Sequence, residues 1–155
     1  MDALLLIRNG GWQGGVWTNN KASMNIASGA TFDIWDGQAV TIDALTGDGR
    51  VDKGHATGST MVLNVGVNGG SGDFSGQFTN SSGAGAISLV KTGSGSQTFS
   101  GANTYGGTTT IGAGTLSVSG SLSDSTDVSV GGGATYDVAA SDTIDGLTGT
   151  GSVTL

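Results

Sequence analysis

Apolar and polar residues alternate along this chain in short runs, and the runs return about every ten residues. Met24/Ile26, Phe32/Ile34, Val40/Ile42, Leu63/Val65/Val67, Ile87/Leu89, Thr109/Ile111, Leu116/Val118, Val128/Val130, Tyr136/Val138 and Val153/Leu155 all follow the pattern. A period of two describes a strand with one buried and one open face. Turn-forming residues separate the runs, as at Ser28-Gly29, Asp48-Gly49, Asn68-Gly69-Gly70, Ser94-Gly95, Gly131-Gly132-Gly133 and Thr150-Gly151. The pattern predicts strands near 31–35, 61–67, 86–91, 115–118, 127–130, 134–138 and 151–155, and no α-helix.

A longer repetition overlies this rhythm. MNIASGATFDIWDGQAVTIDALTGDGRVDK (24–53) returns as VSVGGGATYDVAASDTIDGLTGTGSVTL (128–155). Phe32 matches Tyr136, while Ile42, Leu45, Gly49 and Val51 match Ile144, Leu147, Gly151 and Val153. The unit is about 103 residues, so the chain holds about one and a half. Many short strands fit either a β-sandwich or a solenoid. Recurrent blocks favour the solenoid, since stacking would align equivalent residues in ladders, and so does glycine at the corners, where a coil turns sharply. The expected fold is all-β, a right-handed parallel β-helix (β-solenoid) with Gly/Ser/Thr-rich corners. Three strands and their corners use roughly 20–25 residues per coil, giving about six or seven coils. Residues 1–155 are read as a single solenoid segment, with 1–23 an atypical coil or cap to which Leu4–Ile7 contribute.

Composition sharpens this picture. Glycine supplies 31 of 155 residues, and there is no proline or cysteine. Collagen is excluded by the missing three-residue period, and disorder is opposed by a 35% hydrophobic content set in clusters. All 12 acids are aspartate, the net charge is −7, and the five bases Arg8, Lys21, Arg50, Lys53 and Lys91 are scattered. Such a chain has no patch for phosphates, so nucleic acid is excluded as a partner. An anionic membrane surface would repel it, no run is long enough to span a bilayer as a helix, and Met1–Ile7 lacks the basic start of a signal peptide. Membrane insertion by this segment is therefore not expected, and export signals would lie outside it.

One stretch carries a specific motif. Residues 89–119 read LVKTGSGSQTFSGANTYGGTTTIGAGTLSVS, with Lys91-Thr92-Gly93-Ser94-Gly95, Ser100-Gly101-Ala102-Asn103-Thr104-Tyr105, Gly107, Ile111 and Gly114-Thr115-Leu116 in order. This resembles the autotransporter-associated β-strand repeat of bacterial passenger domains. Gln97 and Phe99, Thr108 and Gly112 depart from the usual residues at their positions. The resemblance implies a passenger segment secreted through an outer-membrane translocation barrel of its parent protein, outside the cell or at its surface. The residues themselves suggest structural roles. Asn103 and Thr104 can bond backbone at a corner, with a stacked Asn satisfying coils above and below. Tyr105 suits a coil edge, with an apolar body and polar tip.

No chemical site emerges beside it. Asp33/Asp137 and Asp43/Asp145 are repeat-equivalent, which argues for outward or ladder roles and against a catalytic dyad. His55 is the only histidine, in a loop, and is read as solvated, not as a ligand. Gly69-Gly70-Ser71-Gly72-Asp73 is one residue short of a calcium nonapeptide and reads as a turn. The Gly-x-Gly elements precede strands, so no helix N-terminus awaits a phosphate. Trp12, Trp17 and Trp35 suit end-capping or core use better than a sugar platform. No catalytic, cofactor or metal residue is assigned. Three functions fit a solenoid: a structural stalk, an adhesin-like binding module, and a polysaccharide-degrading enzyme. The stalk is favoured, because no mixed-charge cluster supports catalysis. Head-to-tail self-association through terminal coils, extending into filaments, is also expected, since an open coil leaves backbone groups unpaired.

Overall fold

The structure, a computed structural model, describes residues 4–6, 20–34, 39–54 and 58–155. Trp12, Trp17, Trp35 and His55 lie outside the described residues. Among the described residues every regular element is a strand. In chain order these are β1 (Leu4–Leu6), β2 (Met24–Ile26), β3 (Thr31–Asp33), β4 (Ala39–Ile42), β5 (Leu45–Gly47) and β6 (Arg50–Asp52). Next come β7 (Thr60–Val65), β8 (Gly72–Phe74), β9 (Gln77–Thr79), β10 (Ala86–Lys91), β11 (Ser96–Phe99) and β12 (Gly106–Ile111). The last are β13 (Thr115–Val118), β14 (Asp127–Val130), β15 (Thr135–Val138), β16 (Gly146–Gly149) and β17 (Ser152–Thr154).

All pairings are parallel, and they build three sheets. Sheet A runs β1-β3-β6-β9, sheet B runs β4-β7-β10-β12-β14-β16, and sheet C runs β2-β5-β8-β11-β13-β15-β17. The chain visits B, then C, then A, and stacks on itself. That is a β-solenoid of about six turns, as the alternation predicts.

Inward residues form columns along the rod. On sheet B, Val40, Leu63, Leu89, Thr109, Val128 and Leu147 lie over one another, as do Ile42, Val65, Lys91, Ile111, Val130 and Gly149. Most of these side chains are fully buried, so each coil's core is completed by its neighbours.

The coils change shape along the rod. Val40, Leu63 and Leu89 are 23 and 26 residues apart, whereas Leu89, Thr109, Val128 and Leu147 are spaced by 20, 19 and 19. Shortening coincides with the end of sheet A at β9, beyond which only the bridge Ala102–Ser121 continues that side. Three strands per coil therefore hold for the first half, and two strands with a loop for the second. Phe74, Phe78, Phe99 and Tyr105 fill the narrowing core edge to face, with ring centroids 5.2–6.2 Å apart.

The long repetition is not one of stacking position. Phe32 stands in sheet A and Tyr136 in sheet C; Val51 is in A and Val153 in C. What recurs is a corner. Asp48 and Gly49 donate to the Ile26 carbonyl (3.1 and 2.9 Å) and Arg50 to that of Ala30 (2.9 Å). Thr150 and Gly151 donate to the Val130 carbonyl (2.9 and 3.0 Å) and Ser152 to that of Ala134 (2.9 Å). The first corner joins C to A and the second joins B to C. Like residues thus build like arches on different faces, and the expected ladder of equivalent residues does not form.

Candidate functional site

The segment from β10 to β13 places several polar side chains at inward positions. Lys91, Gln97, Asn103 and Thr109 are all buried. In β10 the alternation Ile87-x-Leu89-x-Lys91 points the lysine into the column between Val65 and Ile111. A buried ammonium must be fully hydrogen-bonded to persist. Its Nζ donates to the carbonyls of Thr92 (2.6 Å), Gly93 (3.0 Å) and Ala113 (3.3 Å). Burial pushes its pKa down, and the negative charge of Asp43 works against that.

Gln97 occupies the inward column of sheet C between Gly72 and Leu116. Gly72 has no side chain, so the amide reaches past it to a strand two coils away. Gln97 Oε1 accepts from Leu45 N–H (3.0 Å) and its Nε2 donates to Leu45 C=O (2.8 Å). The side chain supplies both bonds that a neighbouring peptide would normally make, where the β5–β8 pairing is reduced to Gly47 and Phe74.

Asn103 does the same for sheet A. Its Oδ1 accepts from Phe78 N–H (3.0 Å) in the coil below, while Nδ2 donates to Gly101 (3.0 Å) and to Ser121 (2.7 Å) in the coil above. Thr104 N–H adds a bond to Phe78 C=O (2.7 Å). This is the two-sided corner role expected for the Asn-Thr pair. One coil further on, Asp142 accepts from Leu122 N–H (3.1 and 3.2 Å to its two oxygens) and from Tyr136 OH (3.1 Å). Side chains thus continue a ladder whose strands have ended.

Tyr105 is not at an edge, as its amphipathic shape suggested, but fully buried. Its hydroxyl bonds Thr109, which contacts Thr126 (3.1 Å), which donates to Gly107 C=O (2.6 Å). The chain of hydroxyls satisfies the phenol inside the core, and burial pushes its pKa up to about 12.

The aspartates singled out by repetition separate. Asp33 is buried, not outward, and accepts from Gly54 N–H (3.1 Å). Asp43 accepts from Asn68 and Gly70 N–H (both 2.8 Å), so the calcium-like glycine run is a turn held by a carboxylate. Asp137 lies on the outer ladder of sheet C, between Ser117 (2.8 Å) and Thr154 (2.6 Å) hydroxyls, whose bonds hold its carboxyl below the usual range. Asp145 is exposed. Among the described residues no cluster of three or more His, Cys, Asp or Glu side chains could hold a metal.

The segment that carries these inward polar groups is also the segment that can be identified. Residues 89–118 match the model of the passenger-associated transport repeat. No curated protein and no solved structure matches the chain. The match runs from within β10 to the end of β13 and takes in Lys91, Gln97, Asn103, Tyr105 and Thr109. This repeat and the β-solenoid together fit the scaffold of an autotransporter passenger. Sequence patterning left two of these groups unassigned. Lys91 reads as a scattered base and Gln97 as a departure from the motif, yet both stand two residues from a buried apolar neighbour. That spacing is the signal that marks them as inward.

Proposed function

We propose that this chain is an extracellular structural segment of an autotransporter-like passenger, a rod that does no chemistry of its own. The observation that supports it is the matched repeat itself. Its buried Lys91, Gln97 and Asn103 spend their polar atoms on backbone groups of their own and neighbouring coils. A parent protein with an outer-membrane translocation barrel accompanies this reading. In a parallel solenoid each coil offers an edge on which the next can pair, so coil-by-coil folding outside the cell favours outward movement of the chain. The test is secretion of the intact parent carrying Leu116→Asp, which puts a carboxylate at a fully buried position. Reduced secretion is expected; unchanged secretion would overturn the transport role.

The rod is also proposed to associate end to end. Within this segment β16 pairs only with β14 and β17 only with β15, and Leu147, Val153 and Leu155 are exposed beside them. With Tyr136, Val138 and Ile144 they line a hollow of about 180 Å³. A coil of a second copy would cover this surface, and such a contact does not close on itself. Light scattering over a concentration series should show growing mass. A strictly monomeric species throughout would rule out the association while leaving the scaffold reading intact.

A further inference from the structure

The corner around Lys91 draws together four successive coils. Asp43 comes from the corner after β4, Gly66–Gly70 from that after β7, Lys91–Gly93 from that after β10, and Ala113–Gly114 from that after β12. An ammonium carries three N–H donors and no acceptor, and three carbonyl oxygens receive them at 2.6, 3.0 and 3.3 Å. Space for the group depends on absent side chains. A Cβ on Gly66 would lie 3.1 Å from Nζ, and one on Gly114 would lie 2.9 Å away. The carboxylate of Asp43 supplies negative charge to the same corner and is itself fixed by two backbone N–H groups at 2.8 Å.

Carbonyl oxygens converging on one point, with a carboxylate behind them, are the usual surroundings of a hard cation. We propose that this corner is a monovalent-cation site whose resident cation is the chain's own Lys91 ammonium. When the side chain is shortened, the site takes a free cation of ammonium size. The lysine does for this corner what a bound ion does in cation-dependent solenoids, and it arrives with the chain. An exported polypeptide then needs no ion from its surroundings to close the coils. Deleting the ammonium leaves the carbonyls of Thr92, Gly93 and Ala113 turned toward one space without the donor they shared.

Lys91→Ala tests this. Its thermal midpoint should fall below that of the unmodified chain by several degrees. Ammonium chloride should then restore at least half of the loss in a saturable way. Tetramethylammonium chloride at equal ionic strength should not, because it cannot donate and is too large. The unmodified chain should respond alike to both salts. Equal responses of the variant to the two salts, or a variant as stable as the parent, would overturn the proposal. Should Lys91→Ala fail to fold in either salt, nitrogen-15 NMR of the unmodified chain decides. A hydrogen-bonded, slowly exchanging lysine NH3⁺ signal that is lost in Lys91→Arg is expected, and its absence would overturn the assignment.

Discussion

Single side chains hold this solenoid where backbone pairing lapses, and their contributions can be measured one at a time. Asn103→Ala leaves Phe78 N–H buried without an acceptor and removes the bonds to Gly101 and Ser121. An orphaned buried donor costs about 1–3 kcal/mol, and the lost bonds add to it. A loss of about 2–3 kcal/mol is expected in urea titrations, with Asn103→Asp intermediate because it keeps an acceptor but no donor. Asp52 gives a pH signature. Burial disfavours its charge, but the Ser81 hydroxyl (2.5 Å) and N–H (2.9 Å), the Thr79 hydroxyl (2.8 Å) and Arg50 outweigh that and hold its pKa below the usual 3.8. A pKa lowered by folding adds stability that is whole above the unfolded value of about 3.9 and is lost as pH falls through the folded one. The thermal midpoint should therefore fall on acidification below about pH 4, and less steeply in Asp52→Asn than in the native chain. Parallel curves would show that Asp52 makes no such contribution.

At the scale of elements, the predicted strands at 86–91, 115–118 and 127–130 coincide with β10, β13 and β14, and the others agree within a few residues. β1, β5, β6, β8, β9, β11 and β16 escaped the pattern. Of these, β8 and β9 are three-residue strands with a single phenylalanine each, and β11 has Gln97 at an inward position, which breaks the alternation. Corners are limited by a column of glycines. A Cβ on Gly76 would lie 1.9 Å from the Gly49 carbonyl oxygen; on Gly101, 1.8 Å from that of Gly76; on Gly120, 2.1 Å from that of Gly101. Adjacent coils touch backbone to backbone here, so no side chain fits. Gly76→Ala should prise the coils apart and cost several degrees in thermal midpoint. Gly58→Ala, at a position with open space around it, should leave the midpoint unchanged. Equal effects from the two would mean that the column does not limit coil spacing.

For the whole molecule the informative feature is the change from three strands per coil to two. Beyond Thr79 the side once occupied by sheet A is held by Asn103 and Asp142. The same arch turns C into A near Gly49 and B into C near Gly151. An arch is therefore a module that can sit at more than one corner, and the 103-residue recurrence moves it by one face. Since the corners are closed by the chain's own carboxylates, amides and a lysine, thermal unfolding with and without excess EDTA should coincide. A drop of more than a few degrees on chelation would show that an ion takes part.

Strand periodicity, glycine-marked corners and the passenger-repeat motif were all legible in the sequence, because each depends on residues close together along the chain. Alternation decides which face of a strand is buried, and Asn103 beside Thr104 already suggested a corner bonded on both sides. Tertiary structure alone decided which sheet each arch would join and where sheet A would stop. It also decided that Lys91 and Gln97 would serve backbone groups in other coils. Those outcomes depend on the length of the intervening loops and on the gap that Gly72 leaves 25 residues before Gln97. Contacts across a coil's span are set by how many residues the coil contains, and a two-residue alternation carries no record of that number.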